Sequence, residues 1–430
     1  MPNNQKPNKL RVKTFYSLLL AVIPMAFLAS ATIQKDPPIK AAQENEWRHE
    51  IRTNFFIPDP LPPLDAKIYR TFSPAPGVKA QAISYTTQLG VRVPAILYLP
   101  DPMPAGKIPA FMVVNGHGGD KYSWYSFYTG ILFARGGAAV LTYDQIGEGE
   151  RNIDRKSGTR SHDNIPGGPV IARHLAGLMI CDAMQAVSYL SSRPEIDSSR
   201  IAVGGYSLGS FVVSLTGALD TRIHACVMCG GGDLDGPGGY WDKSKPMCQA
   251  LPYQSLNFLG DRPAVVYALH AARGPTLVFN GLGDTAVAIP SHSQKFFADL
   301  HARASALHGS TNGVFDYGFA PVDCGHRPYW LTRPVVLWLQ KQIDFPNWTA
   351  EKIAALPEVK IGDWAAANQV TIEKLYATPL REAGTPALDV SMPGYAHDEL
   401  NVLTADEWDN QKTNFILESW LAAAEKDSTN

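Results

Sequence analysis

Gly205-Tyr206-Ser207-Leu208-Gly209 is the segment whose residue types could do covalent chemistry. It lies between an apolar run, Ile201-Ala202-Val203, and a helix-like stretch from Ser210 to Leu219. A serine on a sharp strand-to-helix turn points its hydroxyl away from the sheet, and flanking glycines remove the side chains that would clash in so tight a bend. The helix N-terminus behind it offers backbone N–H groups to developing negative charge. A plain glycine-rich turn would carry the same five letters. The strand before, the helix after and the partners downstream make Ser207 the candidate nucleophile.

A serine hydroxyl is a weak nucleophile until a base takes its proton, and that base needs an orienting acid. Thr276-Leu277-Val278-Phe279-Asn280 reads as a strand, and Gly281-Leu282-Gly283-Asp284 follows it as a loop. Asp284 is the candidate acid, with Asp323 as its rival. Gly325-His326-Arg327-Pro328 sits between a strand-like segment and the last helix of the alternating series, so His326 is the candidate base. His397 lies in a similar loop farther on and ranks second. His174, His224 and His270 read as helix, core or surface histidines. For the oxyanion, one donor is expected from the N–H of Leu208. The other should come from Gly118 or Gly119 in the loop Asn115-Gly116-His117-Gly118-Gly119-Asp120, where His117 shapes the loop.

The elements that must position these groups alternate along the chain. Strand-like segments run over Ala80–Gln88, Val91–Leu99 and Ala110–Asn115, then a helix over Ser123–Arg135 and a strand over Ala138–Tyr143. A long helix pattern from about Val170 to Leu190 precedes the Ser207 strand and its helix. After Ile223–Met228 comes a long irregular insertion, then Thr276–Asn280, a helix over Ser291–His301, Val314–Phe319 and a helix over Pro328–Gln342. This alternation predicts a mostly parallel central sheet with helices on both faces, and an antiparallel edge from the opening strands. Residues 32–79, with Pro58, Pro60, Pro62 and Pro63, read as an irregular lead-in wrapping the core domain of residues 80–345. Residues 346–430 read as a mainly helical extension packed on that core, where Thr404-Ala405-Asp406-Glu407 is a capping box.

The chain has 430 residues, of which 45% are hydrophobic, and a net charge of −2, which argues against a nucleic-acid partner. Lys6, Lys9, Arg11 and Lys13 precede an apolar run from Phe15 to Ala29 that ends in Ala29-Ser30-Ala31. Residues 1–31 therefore read as a secretory signal peptide, and a periplasmic or secreted location follows. The run is short for a membrane span and Pro24 interrupts it, so no stable membrane insertion is expected after processing. Cys226 and Cys229 mimic a C-x-x-C pair, but residues three apart in a strand face opposite sides, so they read as buried strand cysteines. A Cys229–Cys248 bridge stays open, as does the oligomeric state. Neither H-E-x-x-H nor a lysine-bearing phosphate loop is present, so no metal or cofactor is expected.

Asn115-Gly116-His117-Gly118-Gly119, the stretch Tyr143-Asp144-Gln145-Ile146-Gly147-Glu148-Gly149-Glu150-Arg151, and Arg193-Pro194-Glu195-Ile196-Asp197 before the Ser207 turn resemble α/β-hydrolases of the dienelactone hydrolase and acetyl xylan esterase-like group. The resemblance covers roughly residues 80–345. It implies the α/β-hydrolase fold, Ser207, Asp284 and His326 as catalytic residues, and a carbohydrate or small-molecule ester as substrate. Dienelactone hydrolases proper use a cysteine nucleophile and are cytosolic. The serine and the leader here favour the esterase side. Trp124, Tyr125 and Tyr128 after the oxyanion loop, and Tyr240-Trp241 in the insertion, are candidates for stacking on sugar rings. The alternatives are a serine peptidase of prolyl-oligopeptidase type and a noncatalytic binding protein on the same fold.

Overall fold

The computed structural model describes residues 41–310, 312–321, 324–372 and 384–428. Residues 1–31 and Asp323 lie outside the described residues. The chain opens with helix α1 (Ala41–Asn54), then four strands: β1 (Lys67–Ala75), β2 (Val78–Thr86), β3 (Arg92–Pro100) and β4 (Ile108–Val114). Helix α2 (Trp124–Gly136) leads to β5 (Ala139–Tyr143). Helix α3 (Gly168–Ser192), β6 (Ile196–Tyr206), α4 (Leu208–Leu219) and β7 (Ala225–Cys229) follow. After the insertion, which holds α5 (Ala250–Gln254) and α6 (Arg262–Arg273), come β8 (Thr276–Gly281), α7 (Ile289–His308), β9 (Asp316–Ala320) and α8 (Arg333–Ile343). The C-terminal region contains α9 (Ala350–Ala355), β10 (Glu358–Lys360), α10 (Ile361–Asn368), β11 (Pro386–Leu388), α11 (Ala405–Gln411) and α12 (Leu417–Asp427).

Nine strands form one sheet in the order β1-β2-β3-β5-β4-β6-β7-β8-β9. The first three pairings are antiparallel. From β5 through β9 every neighbour is parallel. Parallel strands need crossover helices, which cover both faces, so their residues are apolar on both sides. In β4, Ala110, Met112 and Val114 join one core layer while Phe111 and Val113 join the other. All seven residues of β4 are buried. Helix α3 is apolar and long enough to cross a bilayer by composition, yet its side chains are largely buried within the fold.

Several details differ from the sequence expectations. The stretch expected to be an irregular lead-in holds α1 and β1, and β1 pairs along β2 as the sheet edge. Its prolines lie between these elements and masked the strand, whose half-exposed pattern is that of an edge. The insertion is not wholly irregular, because α6 starts at Asp261, whose side chain caps the Ala264 N–H, with Pro263 in the first turn. The last helix of the series begins only at Arg333, after a single 3₁₀ turn over Tyr329–Leu331. In the C-terminal region, β10 and β11 pair antiparallel among the helices.

The C-terminal region decides how α2 is packed. On one side α2 meets the sheet, with Phe133 edge-on to Phe111. On the other, Tyr128 lies edge-on to Trp364 and donates to the Leu388 carbonyl at 2.9 Å. Twelve of its thirteen residues are therefore buried. Trp420 of α12 reaches the opposite core layer and donates to the Gln88 side chain at 3.3 Å.

Candidate active site

Ser207 sits between the last residue of β6 and the first of α4 with φ 58° and ψ −117°, a conformation that L-residues rarely adopt. Holding a serine there costs about 1–3 kcal/mol and needs surroundings that over-determine it. Here its N–H donates to the Cys229 carbonyl at 2.9 Å, and its own carbonyl accepts from Ser210 and Phe211. Ser210 Oγ bonds the carbonyls of Gly205 and Cys229 at 2.9 and 2.6 Å, locking the turn to β7. The two glycines are steric necessities. A Cβ on Gly209 would stand 2.0 Å from the Val114 carbonyl oxygen, and one on Gly205 would stand 2.3 Å from the Gly209 oxygen.

Asp284 and His326 come from the loops after β8 and β9, and the structure brings them together. His326 Nδ1 lies 2.8 Å from Asp284 Oδ2, with both residues buried. Asp284 Oδ1 accepts from the Ala286 N–H at 3.0 Å, so the carboxylate is fixed at both oxygens. The Gly283 N–H donates to the Cys324 carbonyl at 3.0 Å, tying the acid loop to the base loop. Tyr206 contributes unexpectedly: its hydroxyl donates to the His326 carbonyl at 3.1 Å and its ring lies 4.9 Å from the imidazole. His326 and Ser207 line one cavity of about 580 Å³. His397 does not join them. It stacks on Tyr122 at 3.8 Å and lines a separate cavity formed by β1, Arg155 and the C-terminal region. His174 stacks on Phe56 at 3.7 Å, and His270 is bonded to Thr276 and the Ser214 carbonyl, both in core roles.

Leu208 opens α4, where the first-turn N–H groups have no partner within the helix. In the facing loop the Gly119 N–H donates to the Gly116 carbonyl at 2.9 Å, engaged in the loop's own turn. Gly118, with φ 72°, turns the loop, and His117 before it lines the cavity. Asn115 braces the loop from below: it donates to the Tyr143 carbonyl at 2.8 Å and accepts from Ser126 at 2.7 Å.

Tyr240 and Trp241 both border the cavity, but Trp241 is buried in its wall and offers no open face for stacking. Trp241 is stacked on Phe211 at 5.5 Å with its indole N–H on the Asp233 carbonyl at 3.0 Å. Trp124 and Tyr125 are a correction. Both belong to the buried helix α2, and Tyr125 turns inward, edge-on to Tyr206, accepting the Gly116 N–H at 3.2 Å. Their positions just after the loop could not reveal that the C-terminal region covers the outer side of that helix. Tyr128 is buried there too.

Cys229 and Cys248 carry unbridged thiols. Cys248 Sγ lies instead 3.1 Å from His117 Nε2. His162 and Asp163, which nothing in the sequence pattern singled out, complete a buried group of four metal-ligand types. Burial holds His117 well below the ordinary histidine value, and His162, Arg160 and His326 push in the same direction. Burial, together with Asp163, pushes the Cys248 thiol well up.

A mostly parallel sheet with helices on both faces and a serine on the strand-to-helix turn at its C-terminal edge is the α/β-hydrolase fold, and this chain is an α/β-hydrolase-fold protein. Residues 62–229 match the family model of acetyl xylan esterase, and residues 170–311 match that of the prolyl oligopeptidase family. A solved Bacteroides fragilis structure assigned as an acetyl xylan esterase is similar at TM-score 0.50 and 17% identity, covering 65% of this chain and 74% of that one. The structure of methylesterase BT1017 is similar at TM-score 0.52 and 22% identity, covering 73% and 68%. In sequence, 91 residues are 33% identical to YtaP of Bacillus subtilis, assigned as a hydrolase, and the match spans 29% of that relative's length and 21% of this chain.

Proposed function

We propose that this protein is an exported serine ester hydrolase that removes acyl groups, acetyl foremost, from a carbohydrate. Ser207 Oγ attacks the ester carbonyl while His326 Nε2 takes its proton, and Asp284 holds the imidazole in the tautomer that leaves Nε2 able to accept. The charge on the carbonyl oxygen meets the Leu208 N–H and a second N–H from the loop at Gly118. His326 returns the proton to the leaving alcohol. Water, deprotonated by the same imidazole, then releases the acid from Ser207. Export rests on residues 1–31, and the carbohydrate rests on the match to the acetyl xylan esterase model over residues 62–229 and on Tyr240 at the cavity wall.

The observation that carries this reading is one cavity lined by both a serine in a strained turn and a histidine whose Nδ1 is 2.8 Å from a buried carboxylate. Acetate release from acetylated xylan, measured beside Ser207→Ala, tests it. Release abolished by the substitution is expected. Release that survives in the variant would remove Ser207 from the mechanism. The match to the prolyl oligopeptidase family favours a second reading, a serine peptidase. Cleavage of a proline amide without cleavage of acetyl esters would establish that reading instead.

A further inference from the structure

Three loops that are far apart in sequence place four metal-ligand side chains in one spot beside the cavity. His117 comes from the loop after β4, His162 and Asp163 from the segment between β5 and α3, and Cys248 from the insertion after β7. All four are buried, and one donor atom from each lies within 4.8 Å of every other. We propose that His117 Nε2, His162 Nε2, Asp163 Oδ1 and Cys248 Sγ form a structural site for one divalent transition metal, zinc by its donor set, that clamps these loops around the ester cavity.

The separations have the size of a coordination tetrahedron. Metal–ligand bonds of about 2.0–2.3 Å at tetrahedral angles put neighbouring donors roughly 3.3–3.7 Å apart. The observed distances are 3.1 Å for His117 to Cys248, 3.4 Å for His117 to Asp163, 3.5 Å for His162 to Asp163, and 3.7 Å for Cys248 to Asp163.

The outer contacts also fit. His162 Nδ1 lies 2.9 Å from the Ile146 carbonyl, so that nitrogen carries the proton and Nε2 presents a lone pair to the group. That Nε2 is buried and has no hydrogen-bond partner. A ring nitrogen fixed on a backbone carbonyl is the usual support of a metal-bound histidine. Asp163 Oδ2 is taken by Arg160, which leaves Oδ1 for the metal.

Two imidazoles, a thiolate and a carboxylate suit zinc at a closed four-ligand site, whereas calcium and magnesium want oxygen alone. The Cys248 thiol proton is released to solvent when the metal binds. With every position filled by protein, the ion supplies no water to the reaction. Its effect is to hold His117, and with it the candidate oxyanion loop, against the segment bearing His162.

The purified full chain, stripped with a chelator and reconstituted with Zn²⁺ or Co²⁺, tests this without any ester substrate. One zinc per chain should survive gel filtration, and Co²⁺ should give tetrahedral d–d bands with a thiolate charge-transfer band. Cys248→Ser should lose the charge-transfer band, and His162→Ala should lose retained zinc. If either variant fails to fold, the wild-type spectrum decides alone. Folded wild type that retains no stoichiometric zinc and shows no thiolate band with cobalt overturns the proposal. Because metal content is counted directly, a protein that fails to cleave esters but retains zinc would separate this site from the catalytic reading.

Discussion

Lys121 Nζ lies 2.9 Å from Glu150 Oε2, and both side chains are fully withdrawn from water. The same ammonium sits 2.5 Å from Asp144 Oδ2. Burial opposes its charge, but Asp144 and Glu150 outweigh that cost and hold Lys121 above its usual value. Glu150 is completed by Arg155 at 3.0 Å and by the N–H groups of Val402 and Leu403 at 2.8 and 2.9 Å. One carboxylate thus joins Lys121, next to the Asn115–Asp120 loop, to the C-terminal region.

Glu150→Gln leaves Lys121 with a single anion and removes the charge that the two N–H groups solvate. Breaking a buried ion pair from one side costs about 3–5 kcal/mol, and the low end is expected because Asp144 remains. Urea unfolding should show the midpoint falling with the slope unchanged. A midpoint equal to wild type would mean that the network contributes nothing net.

Asp284→Asn keeps the shape of the acid but presents an amide to His326 Nδ1, which favours the wrong imidazole tautomer. The expected loss in kcat is about 10⁴-fold with little change in KM. Steady-state kinetics on a small activated ester would measure it. A loss below tenfold would exclude Asp284 as the orienting acid.

His292 lies 2.8 Å from Asp233 and 3.4 Å from Asp235. Burial opposes its charge, but hydrogen bonds donated to the two carboxylates raise it to about 9. Asp235 also accepts the N–H groups of Tyr240 and Trp241, so this ion group supports the cavity wall. The folded value lies above the unfolded one of about 6.5. The contribution to stability is therefore complete below about pH 6.5 and is lost as pH rises through 9. Thermal melts from pH 6 to about 10 should show a decline that His292→Gln flattens. Parallel declines in both proteins would refute the assignment.

The sheet and the turn at Ser207 could be read because the signals are local: apolar runs, flanking glycines and a helix that starts at once. Asp284 and His326 could be read because each follows a strand, and chain order restricts where such loops fall. What could not be read depends on contacts made at long range. Trp124 and Tyr125 look like mouth residues until α2 is seen to be covered from outside by Trp364 and Leu388, with Tyr125 turned in against Tyr206. His162, Asp163 and Cys248 have no spacing signal, since their approach to His117 is made by tertiary folding of separate loops. Helix α6 was legible in principle, from Asp261, Pro263 and the apolar positions Val265, Val266 and Leu269, but the surrounding glycines and prolines hid it.

The contact from Val402 and Leu403 to Glu150 also makes one part of the fold depend on sequence 252 and 253 positions away. Without those two amides, Lys121 rests on a less fully solvated anion and the loop next to it lacks an anchor. A variant that loses this segment would keep Ser207, Asp284 and His326 and still lose that brace. The distant segment thus acts as a lock on a loop to which it is tied only through the finished fold.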